Sequence, residues 1–204
     1  MSATEEVVTT IFGPSTESIS SYVDILASRG IEWGLLGPRE AERLWDRHVL
    51  NSVAIAGLIP QDAAVVDVGS GAGLPGIPLA ILRPDLKVTL LEPLLRRVNF
   101  LELAVEELDL AERVRVIRGR AEDHGGSYDV VTCRAVAPLP RLLAWCVPLL
   151  GVEGRLVALK GSSAADEVAQ ATPELRAARL EARVEELTIP GVAESTWAIV
   201  VSSR

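Results

Sequence analysis

Four glycines and three acids carry the first chemical signal in this 204-residue chain. The stretch Val65-Val-Asp67-Val-Gly69-Ser-Gly71-Ala-Gly73-Leu-Pro75-Gly76 ends an apolar run in a loop whose backbone a ligand can approach closely. In open α/β sheets, ligands bind outside the carboxyl ends of the strands. Gly71-Ala-Gly73-Leu-Pro-Gly76 also has the G-x-G-x-x-G form of a dinucleotide-binding turn, so a nicotinamide or flavin enzyme is one reading. The acids favour another. A pyrophosphate needs amide donors and the positive end of a helix, whereas Asp67 stands two residues before the first glycine. A carboxylate there suits a cationic ligand. S-adenosylmethionine carries a sulfonium and an ammonium but no phosphate, and an acid ending a second strand, where Glu92 falls, can hold its ribose diol. A third junction supplies Gly119-Arg-Ala121-Glu122-Asp123, where an adenine would lie. Three acids at three successive strand ends point to an S-adenosylmethionine-dependent methyltransferase.

These junctions require strands that alternate with helices. Apolar runs at 63–68, 87–92, 113–117, 128–133 and 155–160 predict five strands, separated by helical stretches near 76–82, 93–110 and 139–150. That is the pattern of βαβ units on a parallel sheet. Residues 166–178 predict another helix, and runs near 182–189 and 196–202 predict a closing antiparallel hairpin. Upstream, Ile19, Tyr22, Val23 and Leu26 have the i, i+3, i+4, i+7 spacing of an amphipathic helix that stops at Gly30. Gly37-Pro38 opens a second helix, with a stripe through Ala41, Leu44, Trp45, Val49 and Ser52 to Gly57. The expected fold is α/β, a Rossmann-like class I methyltransferase with a mostly parallel sheet and a C-terminal antiparallel strand. A helical N-terminal extension over residues 1–60 would precede the methyltransferase domain at 61–204.

Composition narrows the class further. Apolar residues at 49% and charged residues at 24% suffice for one core and exclude a disordered chain. The longest uncharged run, 68–82, is broken by four glycines and two prolines, short of the roughly 20 apolar residues of a membrane span. Residues 1–6 carry two acids where a secretory signal carries bases, so a cytoplasmic protein is expected. Cys133 and Cys146 lack the spacing of a zinc site; buried thiols and no metal are expected. The net charge of −8 argues against loose adhesion to nucleic acid. Over residues 1–60, 61–135 and 136–204 the bases number 4, 9 and 7 against 8, 12 and 8 acids, so no segment is basic as a whole. All bases but two lysines are arginine, whose planar fork suits bidentate phosphate contacts.

Several motifs beyond the glycine loop occur in one order: Glu92 followed by Arg96-Arg97-x-x-Phe100-Leu101, Arg118-x-Arg-Ala121-Glu122, Cys133-Arg134-Ala135 and Leu159-Lys160-Gly161. Upstream stands Leu44-x-x-Arg47-His48-x-Leu50-Asn51-Ser52. Together these resemble the small-subunit rRNA methyltransferase G family, also called glucose-inhibited division protein B, over about residues 44–161. The resemblance implies methylation of N7 of one guanine in the decoding-region loop of 16S rRNA, within a 30S subunit or an assembly intermediate. It also implies cofactor contacts at Gly69, Leu74, Ala121, Glu122 and Arg134. Asn51 stands where the family usually has Asp, and Cys133 where Ser is common.

The residues after the fourth strand bear on the acceptor. Cys133-Arg-Ala-Val-Ala-Pro138 lacks the Asn/Asp-Pro-Pro-aromatic loop used on exocyclic amines, and neither cysteine follows a proline as a pyrimidine-C5 nucleophile would. Guanine N7 exposes a lone pair and needs no base. The cofactor-binding candidates are Asp67, Gly69, Gly71, Gly73, Leu74, Glu92, Ala121, Glu122 and Arg134. Arg134, where cofactor and substrate would meet, and His48, fastening the extension over the cofactor, are the positioning candidates. Arg47, Arg96, Arg97 and Lys160 are candidates for RNA phosphates, although Arg43 and Arg47 could instead pair with Glu40 or Glu42, and Lys160 could instead cap its strand. A monomer is expected. A small-molecule methyltransferase, which the acidic charge would suit, and a cofactor-sensing or dinucleotide-binding module are the alternatives.

Overall fold

The computed structural model describes residues 3–192 and 194–203; the side chains at 3, 4, 38, 41 and 42 fall outside that description, and with them the stripe position Ala41 and the prospective partner Glu42. Seven strands form one sheet: β1 (Ala64–Val68), β2 (Lys87–Glu92), β3 (Val114–Arg118), β4 (Tyr128–Arg134), β5 (Leu150–Lys160), β6 (Leu180–Leu187) and β7 (Thr196–Ser203). Their order is β3-β2-β1-β4-β5-β7-β6; β1 to β5 pair in parallel, while β7 runs antiparallel to both β5 and β6. The doubly wound sheet and the closing hairpin are those expected. Strand order reverses between β1 and β4, which opens a crevice at their carboxyl ends.

Successive side chains point to opposite faces of a strand, and this alternation sorts the chemistry. Val65, Leu90 and Val130 belong to one apolar cluster, and Val66, Leu91 and Val131 to the other. By the same parity Asp67, Glu92 and Arg134 fall on the first face, whereas Cys133 and Lys160 fall on the second. The first face is covered by α1 (Ala3–Phe12), α2 (Thr16–Ile25), the helical turns through residue 59, α4 (Gly76–Leu82) and α5 (Leu95–Glu107). A short α3 (Asn51–Val53) lies within those turns. The second face is covered by α6 (Leu139–Cys146), α7 (Ala164–Gln170) and α8 (Thr172–Ala177).

The N-terminal helices pack into the first cluster. Ile19 and Leu26 are fully buried, each contributing on the order of 1.5–3 kcal/mol by burial. Tyr22 is equally buried, and its hydroxyl donates to the Ala72 carbonyl at 2.7 Å, joining α2 to the glycine loop.

Three expected helices differ in the structure. The regular helix from Gly37 to Gly57 is instead a succession of tight 3₁₀ turns (Pro38–Arg43, Ala54–Leu58), a wide π turn (Leu44–Leu50) and α3. The reason lies at the His48 carbonyl, which accepts from the Asn51 N–H, the Ser52 hydroxyl at 2.6 Å and Arg134 at 3.0 Å. Such insertions into the ladder reshape helices. Likewise the helix at 166–178 is divided between α7 and α8, where Pro173 begins a new first turn and lacks an N–H for the old one. The helix expected to stop at Gly30 passes through it, by a π turn at Leu26–Gly30, and ends near Glu32.

Candidate active site

The glycine loop connects β1 to α4. Gly69, Gly71 and Gly73 have φ of 71°, 60° and 96°, a region that residues with a Cβ adopt only under strain. A Cβ at Gly73 would come within 2.5 Å of Ile77, and one at Gly76 within 2.3 Å of Leu90. The loop therefore lies close on α4 with its outer side along a cavity of about 540 Å³. Leu35, His48, Leu74, Glu92, Arg97 and Arg134 contribute to the same walls. The size suits a nucleoside-sized ligand.

Glu92 braces the loop. Its Oε2 accepts from the Gly71 N–H at 2.9 Å and its Oε1 from the Leu94 N–H at 3.1 Å; Arg97 lies 3.7 Å away. A carboxylate has about four acceptor positions, so two remain for ribose hydroxyls. A smaller space of about 140 Å³ adjoins, bordered by Val68, Leu91, Ala121, Glu122 and Trp145, apolar enough for an adenine ring. Chemistry and size together fit S-adenosylmethionine.

Asp67 requires a correction. It was expected to face a cationic ligand, but it does not border the cavity. Its side chain is fully buried beneath the loop, where Oδ2 accepts from the Gly76 N–H at 3.0 Å and Oδ1 has no partner among the described residues. Burial pushes its carboxyl up to about 7, against the pull of the Gly76 N–H. Asp67 is a brace for the first turn of α4. Parity with Val65 carries it to the first face, under α4.

Beyond the end of β4 lies a second cavity of about 480 Å³, a candidate for the acceptor, lined by Arg47, Asn51, Arg134, Pro138, Lys160 and Glu167 among others. Arg134 and Val136 border both cavities. Ala135, between them, has a φ of 52°, a strained conformation for a residue with a Cβ and of a kind found at functional sites. Arg134 turns toward the N-terminal turns: its Nη1 donates to the His48 carbonyl at 3.0 Å and lies 3.3 Å from the Ser52 hydroxyl, and its Nη2 donates to His48 Nδ1. His48 Nε2 lies 2.6 Å from Glu40 Oε2. Burial and the Arg134 charge hold the His48 imidazole below its ordinary range, while Glu40 pulls it upward.

The expected phosphate contacts separate into three kinds. Arg47 is half exposed, borders the acceptor cavity and lies 3.7 Å from Glu40. Arg96 is exposed on α5 beside Gly34, and Arg97 borders the cofactor cavity. Lys160, expected as a phosphate contact, is committed internally: its Nζ donates to Glu167 Oε2 at 2.6 Å and to the Ala137 carbonyl at 2.8 Å, and the side chain is only 8% exposed. Arg120 was not anticipated, yet it borders both the cofactor cavity and the adenine space. Its place immediately before Ala121-Glu122 was the signal. Both cysteines are buried, as expected. Among the described residues no acid, histidine or cysteine cluster could hold a metal.

Solved structures match this arrangement at low identity. The P. horikoshii TYW2 structure in complex with MeSAdo gives a TM-score of 0.60 at 16% identity, covering 77% of this chain and 63% of that one. The B. subtilis M1A22 tRNA methyltransferase TrmK gives 0.58 at 18% identity, covering 76% and 65%. These likenesses, with the strand order, define the fold as that of the class I methyltransferases. Sequence comparison goes further. The profile of the family described as rRNA small subunit methyltransferase G matches residues 15–194. Ribosomal RNA small subunit methyltransferase G of Kineococcus radiotolerans is 50% identical over 198 residues, 96% of this chain and 78% of that protein. The protein of the same name from Mycobacterium leprae is 56% identical over 170 residues, 81% and 69%. The chain belongs to the rRNA small subunit methyltransferase G family.

Proposed function

We propose that this protein transfers a methyl group from S-adenosylmethionine to N7 of one guanine in 16S rRNA. The observation that carries the proposal is that the second cavity holds one carboxylate among the described residues, Glu167, and it is ion-paired: its Oε2 accepts from the Lys160 ammonium at 2.6 Å and from the Leu139 N–H at 3.0 Å. Both His48 nitrogens have partners. The hydrogen bond with Cys146, and burial, push the Cys133 thiol well up, so it offers no thiolate. An exocyclic amine or a ring carbon would lack its base or nucleophile here. N7 needs neither, and alignment alone can supply effective molarities of roughly 10⁵ M or more. S-adenosylmethionine, when bound, supplies a methyl on a cationic sulfur, and its transfer to a neutral lone pair moves charge but no proton.

Each part of the site then has a task. Gly69, Gly71, Gly73 and Leu74 present backbone to the cofactor, Glu92 takes the ribose, Ala121 and Glu122 border the adenine, and Arg134 stands where the two reactants meet. Arg47 and Arg96 take RNA phosphates, with the exposed Leu94 and Leu95 beside Arg96 offering apolar contact. The names of the relatives support rRNA as the substrate. The protein acts as a cytoplasmic monomer on the 30S subunit or an assembly intermediate, with residues 1–60 closing over a methyltransferase domain at 61–204. No helix among the described residues is long and apolar enough to cross a membrane.

The test is incubation of unmodified 30S subunits with methyl-labelled cofactor, followed by nucleoside digestion and mass spectrometry. One 7-methylguanosine per subunit is expected. Label in another nucleoside, or none in RNA, would contradict the proposal.

A further inference from the structure

The side chains at the junction of the two cavities fix one another's protonation. A guanidinium has five N–H donors and no acceptor, so His48 Nδ1, facing Arg134 Nη2, must accept. The imidazole proton then sits on Nε2 and is donated to Glu40. Three of Arg134's five donors are used, by His48 Nδ1, the His48 carbonyl and the Ser52 hydroxyl. The Nε–H and one Nη2–H remain, on a side chain that borders both cavities.

We propose that Glu40 and His48 are positioning residues for methyl transfer, holding the Arg134 guanidinium so that its two remaining donors stay aimed at the meeting point of cofactor and acceptor. The proposal rests on the methyltransferase reading above. Glu40 comes from the turn after Gly37, His48 from the π turn and Arg134 from the end of β4, so the chain ties the N-terminal turns to the sheet. A proton added at His48 Nδ1 would turn an acceptor into a donor pointed at a cation and release Arg134. The other groups facing the three are Arg43 and Arg47 around Glu40 and His48, and Tyr22 and Asp67 beside Arg134. Burial and the Arg134 charge favour a neutral His48; Glu40 works against them. Removing the Glu40 charge therefore makes His48 harder to protonate.

The chain has only two histidines, so nitrogen-15 NMR of the imidazoles, with His124→Gln for assignment, reads the tie without any activity. The His48 ring should carry its proton on Nε2 and titrate below an ordinary histidine; an Nδ1–H tautomer would overturn the proposal. Kinetics on 30S subunits supply the second reading. His48→Ala should lower kcat roughly tenfold, the equivalent of one lost hydrogen bond, with a smaller change in KM. His48→Asn places an acceptor near the Nδ1 position that cannot take a proton; it should recover most of that loss and abolish the acid limb of kcat. Glu40→Gln should move that limb to lower pH. An acid limb unchanged in both His48→Asn and Glu40→Gln would overturn the proposal, and should His48→Ala fail to fold, these two variants still decide. A parent protein that shows the tautomer but methylates no rRNA would overturn the functional reading and leave the tie intact.

Discussion

The wall proposed to face the cofactor and the wall proposed to face the acceptor meet at Arg134, yet they are held by different means. Around the glycine loop the positions come from regular elements: β1, β2 and β3 lie side by side, and their ends bring the loop, Glu92 and Ala121-Glu122 together. Backbone N–H groups complete this wall, with Gly71 and Leu94 donating to Glu92 and Gly76 to Asp67. The acceptor wall is built from irregular turns and held by side chains, chiefly Arg134 with His48 and Ser52. A backbone-built wall should fail when sterics or braces change; a side-chain wall should respond to charge and pH.

The strongest break should come from Gly73→Ala, which forces a Cβ toward Ile77 at a φ of 96°. Cofactor binding, measured by calorimetry, should be lost or accompanied by a stability loss of about 2–4 kcal/mol. Gly57→Ala, in open space at an ordinary φ, should change stability by no more than about 0.5 kcal/mol. Next in size is Glu92→Ala, which removes the brace on Gly71 and the ribose acceptor together and should weaken cofactor binding by about 1–3 kcal/mol. Unchanged affinity would remove Glu92 from the cofactor wall.

On the acceptor side, Arg47→Glu with Arg96→Glu should reduce methyl transfer and leave cofactor affinity nearly intact. The salt dependence of RNA binding should become shallower by about 0.7–0.9 log units per lost phosphate contact. Arg97→Glu acts on the cofactor side instead, because it sets a second carboxylate near Glu92, and should weaken the cofactor.

A further effect separates the two sides by pH. Asp67 titrates at about 7 in the folded chain against 3.8 ordinarily. A raised value means that its contribution to stability is fully present below about 4 and is lost as pH rises through about 7. The melting temperature of the parent protein should therefore fall relative to Asp67→Asn across that window and run parallel above it. His48 has the opposite sign: its lowered value gives a contribution present at neutral pH and lost as pH falls below the ordinary histidine range.

This contrast also explains what could be read from the sequence. The strand ends around the first cavity follow from β-strand and helix periods plus glycines, so the placement of the loop, Glu92 and the Ala121 junction beside one another was legible residue by residue. Asp67 was legible as a site residue but not as a buried one, although its parity with Val65 held the signal. Lys160 shows the same lesson on the other face, where parity with Ala158 sends it to Glu167 on α7 rather than to solvent. The acceptor wall was less legible because its contacts span great separations: His48 meets Arg134 86 residues away. No local pattern encodes that meeting, and the π turn that permits it breaks the 3.6-residue period on which the helix expectation depended.

The central claim, that the site aligns a lone pair and removes no proton, has one direct test. A 30S subunit reconstituted with 7-deazaguanine at the target position keeps the pairing edge and stacking face of guanine but replaces the nucleophilic nitrogen with C–H. The account predicts that methyl transfer to this subunit disappears while the protein still binds it, with the unsubstituted reconstituted subunit methylated as control. Transfer to the 7-deaza subunit at a comparable rate would show that N1, N2 or a ribose hydroxyl is the acceptor, and would contradict it.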